Sequence, residues 1–119
     1  MYREIKIGEK SIPMKATAST ALRFRHVFGG DLMTEFQKVE QDTGLGIPTL
    51  QQLGFIMACA ADPEKDMSKL NEELYMDWLD NFEPLDFAEA AEDIVNLYVG
   101  NTKSLSEVKK KAGDAVNEN

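Results

Sequence analysis

The sequence predicts a mainly α (α+β) chain: a short N-terminal β-hairpin, about five packed helices, and a flexible C-terminal tail. Three observations predict it. The opening residues alternate apolar and charged with period two. Residues 17–100 carry apolar positions at three- and four-residue spacing between Gly and Pro breaks. Residues 101–119 hold few large apolar groups.

In the hairpin, Ile5 and Ile7 share one face and Glu4 and Lys6 the other. Gly8-Glu9-Lys10 supplies the turn. Ile12 and Met14 form the apolar face of the return strand, and Pro13 marks it as an edge strand. Two strands alone are marginal in water, so the hairpin must pack on helices or pair with another subunit.

Thr17 or Ser19 can cap a first helix to Phe28, with Ala21, Phe24 and Phe28 on one face and Gly29-Gly30 ending it. Asp31 can cap a second, carrying Leu32, Phe36 and Val39. Thr43 to Pro48 reads as a loop. A third helix runs from Pro48 to about Ala61; Leu50, Leu53, Met57 and Ala60 make its stripe, and Phe55, Ile56 and Cys59 widen it. Such broad apolarity predicts the central helix. After Asp62-Pro63, Ser68 can cap a fourth helix with Leu70, Leu74, Tyr75, Trp78, Leu79 and Phe82. Pro84 breaks the chain before a fifth, with Phe87, Ala91, Ile94 and Tyr98, ending at Gly100. The predicted organisation is one domain over 1–100 and a polar tail over 101–119, a weak helix or disordered.

Length and composition fit one globular domain with a core of its own. The single cysteine, Cys59, lies in an apolar run and excludes an intrachain disulfide; it reads as a small buried hydrophobe. No leader-like or membrane-spanning apolar run is present, so a cytoplasmic protein is expected.

The net charge is -8 and the sequence pI about 4.6, which argues against general nucleic-acid binding. Residues 1–30 are net +4 and residues 62–93 net -10. That polarity allows head-to-tail self-association or a basic partner, although solvated helix faces are the simpler explanation.

No catalytic constellation is visible. His26 is the only histidine, and no GxGxxG or P-loop occurs. Gly44-Leu45-Gly46 is a turn, not a phosphate loop. Asp77, Asp80 and Glu83 lie at helical spacing on one face, which cannot wrap a cation, so no metal or cofactor is expected. Tyr75 and Trp78 read as core. Met57 reads as core too, whereas Met33 and Met76 fall off the apolar stripes. Their thioethers suit an exposed surface that accepts varied apolar clients.

The element order resembles that of the tail assembly chaperones of long-tailed phages and prophages. The likeness runs over roughly residues 2–100: the hairpin Ile5 to Lys15, then Thr17 to Arg25 and a glycine pair with Asp31-Leu32. Next come the middle helix ending Met57-Ala58-Cys59-Ala60-Ala61-Asp62, the acidic helix Glu72-Glu73-Leu74-Tyr75-Met76-Asp77-Trp78-Leu79 and a final acidic helix. The resemblance implies a non-enzymatic protein that binds the tape measure protein before the tail tube polymerises around it. It further implies help in recruiting tail tube protein and absence from the finished virion; homo-oligomers are expected from the charge polarity, and residence in the host cytoplasm from the lack of a leader-like or membrane-spanning run. Genes of this family also make a longer product by ribosomal frameshifting, and Lys109-Lys110-Lys111 would fit an adenine-rich slippery site.

On this reading Arg3, Lys6, Arg23 and Arg25 form a basic front that meets Glu72, Glu73, Asp77 and Asp80 of a neighbouring copy in an open helical array. Met33 and Met76 contribute to client binding. The rival expectation is a small acidic α-helical adaptor or regulator with one folded partner, or an acidic mimic of DNA. The third helix has no Lys or Arg, which removes helix-turn-helix binding.

Overall fold

A computed structural model describes residues 1–41 and 47–100, with side chains for 1–36 and 47–100. The predicted flexible tail, the Lys109–Lys111 run, Gly44-Leu45-Gly46 and the Val39 side chain lie outside the described residues. No helix among the described residues is long and apolar enough to cross a membrane.

β1 (Tyr2–Ile7) and β2 (Lys10–Lys15) form a two-stranded antiparallel sheet with Ile5 opposite Ile12 and Ile7 opposite Lys10. Period-two alternation buries Ile5, Ile7 and Met14 and leaves Glu4 and Lys6 exposed. Gly8 turns the chain with φ 63°. A side chain there would be strained, and its Cβ would sit 2.5 Å from the Asp86 carboxylate. Beyond β1 the ladder continues: the Met1 amino group donates to the Ala16 carbonyl at 2.6 Å, and the Ala16 N–H donates back at 2.8 Å.

α1 (Thr20–Phe28) ends on Gly29 in the left-handed conformation, as the glycine pair predicts. Its start differs from expectation. Ser19 holds the cap position but makes no side-chain cap. The Thr17 N–H instead donates to Thr20 Oγ1 at 2.9 Å, and the Ser19 N–H to Thr17 Oγ1 at 3.2 Å. Thr20 is thereby satisfied while buried. α2 (Leu32–Gln41) is capped by Asp31, whose carboxylate accepts from the Thr34 N–H and hydroxyl at 3.1 and 2.7 Å.

α3 (Ile47–Ala61) begins one residue before Pro48, which suits a first-turn position lacking an internal hydrogen bond. It is the hub, packing against β2, α5 (Asp86–Val99), α1 and α4 (Glu72–Leu79). Leu50, Leu53, Phe55, Ile56, Met57 and Cys59 are all buried. The expected Ser68 cap is corrected. Ser68 lies inside a short 3-10 turn, Met67–Lys69, capped by Asp66. α4 starts later, where the Asn71 side chain accepts from the Leu74 N–H at 2.9 Å. Leu70 therefore precedes the helix and Phe82 follows it.

Aromatic rings stitch the layers together. Phe28 meets Tyr75 at 4.9 Å, Tyr75 meets Phe55 at 5.4 Å, and Phe55 meets Trp78 at 5.6 Å. Trp78 then touches Phe82 and Phe87. Pairs of this geometry contribute about 0.5–1.5 kcal/mol each beyond their burial. The hairpin tip is fastened to the turn after α4. Lys10 Nζ donates to the Asn81 carbonyl at 2.8 Å and lies 5.5 Å from the Phe82 ring centre.

Candidate functional site

The helix α4 has two unlike faces. Tyr75 is buried, and Trp78 and Leu79 are half-buried against the core. Glu72, Glu73, Met76, Asp77 and Asp80 are exposed, and their spacing places them along the outward side. Met76 keeps 56% of its surface in solvent and Leu74 36%. The structure thus gathers four α4 positions singled out by the sequence, with the C-cap Asp80, into one acidic stripe with a thioether at its middle.

Charge placement along α4 is uneven in its energetics. Glu72 and Glu73 lie in the first turn, where the helix dipole favours anions. Asp77 and Asp80 lie at the opposite end, where it disfavours them, and the last turn has no basic residue. A cation brought to the C-terminal end of α4 would relieve that repulsion.

Beside this stripe, between α3 and α4, opens a groove of about 300 Å³. Phe55, Cys59, Leu74 and Trp78 provide its apolar walls; Asp62, Lys65, Asp77 and Asn81 its polar rim. Asn81 is held in place, its side-chain amide donating to the Asp77 and Trp78 carbonyls at 3.2 and 3.1 Å. Burial pushes the Cys59 thiol up to about 11. The thiol is therefore a packing group and not a nucleophile at neutral pH. Asp77 is the one groove residue among the predicted site residues. The others needed knowledge of how α3 and α4 cross, which no local spacing carries.

The cations predicted to form a basic front do not share a face. Arg3 projects on the core side of the hairpin and meets Asp93 of α5 at 3.7 Å. Lys6 projects on the opposite, solvent side. Arg23 and Arg25 lie two residues apart on α1, on different sides of that helix. The charge of Arg25 helps hold the Asp31 carboxyl low, after the larger effect of the Thr34 hydrogen bonds. That of Arg23 adds likewise to the Ser68 hydrogen bonds at Asp66. Met33, on α2, is 46% exposed.

Among the described residues no three His, Cys, Asp or Glu side chains converge as a metal ion requires. What the arrangement offers chemically is apolar contact within a polar rim of Asp62, Lys65, Asp77 and Asn81. No protein-family model, no curated protein and no solved structure matches the chain.

Proposed function

We propose that the chain is a tail assembly chaperone that binds and solubilises the tape measure protein of a long-tailed phage. It acts without catalysis, in the host cytoplasm, and leaves before the virion is complete. The observation that carries this reading is the outward side of α4. Met76 and Leu74 stand exposed among Glu72, Glu73, Asp77 and Asp80, next to the α3–α4 groove. A long helical client offers apolar stretches that aggregate when uncovered. Exposed thioether and leucine side chains cover such stretches without demanding one sequence, and the surrounding carboxylates keep each loaded copy in solution. The resemblance in element order supports the same reading, and tail tube protein is the expected second partner.

Co-expression with a tape measure protein tests it. The client should be insoluble alone and soluble with several copies of this chain attached. Leu74→Glu with Met76→Glu should return the client to the pellet while the variant itself stays folded. A client that remains insoluble with the native chain would remove the proposal.

A further inference from the structure

The sheet has only two strands, so each has an outer edge without a neighbouring strand among the described residues. The two edges are not equivalent. Hydrogen bonding at Met1–Ala16 fixes the ladder's phase: odd residues of β1 turn their N–H and C=O toward β2, even residues away from it. On β2 the outward set is Ser11, Pro13 and Lys15, and Pro13 has no N–H to offer. On β1 it is Tyr2, Glu4 and Lys6, all with N–H groups and all exposed. No backbone hydrogen bond within the described residues uses those groups.

We propose that the outer edge of β1 pairs antiparallel with the same edge of a second copy, about a two-fold axis through Ile5. The phase of the ladder permits few registers. With the axis at Ile5, Glu4 lies opposite the partner's Lys6 and Lys6 opposite the partner's Glu4. Both are hydrogen-bonded positions and both side chains are on the solvent face. Moving the axis to Glu4 or to Lys6 sets like charges directly opposite, which is unfavourable. Glu4 and Lys6 are thus self-complementary in one register only.

On the other face, Ile5 stays buried in each copy's own core, so the backbone edge and the solvent-face side chains make the contact. Each Tyr2 falls beside the partner's Gly8. The product is a four-stranded sheet whose remaining edges both carry Pro13, so pairing closes at the dimer. Charged edges ordinarily repel strand addition; here the alternation of sign converts that device into a selective contact.

This pairing does not rest on the chaperone reading, because it uses the hairpin and leaves the α3–α4 groove untouched. Sedimentation equilibrium of the full chain at low salt tests it. The native chain should dimerise. Glu4→Lys or Lys6→Glu alone turns both attractive pairs repulsive and should weaken dimerisation on the order of ten-fold. The double exchange should restore it to near the native value. Lys6→Pro removes an outward N–H that β2 does not use and should abolish the dimer, with circular dichroism reporting the fold. A native monomer at the highest soluble concentration overturns the proposal. So does a dimer indifferent to both single reversals, or one that the double exchange fails to restore.

Discussion

The neighbouring helices α3 and α4 are built on opposite terms. α3 buries Leu50, Leu53, Phe55, Ile56, Met57 and Cys59 and packs against β2, α5, α1 and α4. α4 fully buries Tyr75 alone, leaves Trp78 and Leu79 half-buried, and turns Glu72, Glu73, Met76 and Asp77 outward. The first helix is fixed by packing. The second is held by a cap at Asn71 and two aromatic anchors, and its exposed side is free to serve a partner. Structure and proposed function are thus assigned to adjacent helices that share one groove.

The largest break in this contrast is expected at Phe55, whose ring contacts Tyr75, Trp78 and Phe28. Phe55→Ala should cost about 3–5 kcal/mol, read as a shift in the urea midpoint at unchanged slope. Stability at the margin of that size would leave the domain largely unfolded. Asn71→Ala removes the α4 cap and should cost about 1 kcal/mol, checked in the same titration.

Alkaline pH probes both helices together. Burial raises Cys59 to about 11 and Tyr75 to about 12. Each group is neutral in the fold and more acidic when unfolded. Its contribution is therefore complete below its unfolded value and is lost as pH rises through the folded one. Stability should be flat through neutral pH and decline above about pH 9. Tyrosinate absorbance from Tyr75 should appear only with unfolding. A thermal midpoint independent of pH up to 11 would contradict the burial of both groups. The smallest effect is expected at the exposed side: Met76→Ser should change stability by less than about 0.5 kcal/mol while reducing capture of the client.

Much of α3 and the hairpin was legible because periodicity alone decides which side is buried. Ile5, Ile7 and Met14 alternate, and the apolar positions of α3 leave only a narrow polar strip at Thr49, Gln51 and Gln52. Gly29 and Gly100 end their helices where the sequence places them. What escaped depended on competition between nearby polar groups. Asn71, with Glu72-Glu73 following, outcompetes Ser68 as a cap, since Ser68 is already bonded to Asp66 at 2.6 Å. Thr20 and Thr17 bond each other and displace Ser19 from its capping role.

The site was half legible. The α4 stripe follows from helical spacing, but the groove needs Phe55 and Cys59 of α3 brought against Leu74 and Trp78 of α4. The sequence groups Arg3 with a basic front, but in the fold it meets Asp93 of the same chain. Its bond to Asp93 joins residues ninety positions apart in the chain and has no local signature.

The most direct measurement is amide hydrogen exchange across the chain, with and without a soluble tape measure fragment. The expected result is new protection over α4 and the α3–α4 groove, residues 72–81 above all, while α3 keeps the slow exchange it has alone. Protection confined to other elements, with α4 exchanging as in the free protein, would contradict the assignment of α4 as the client-binding helix.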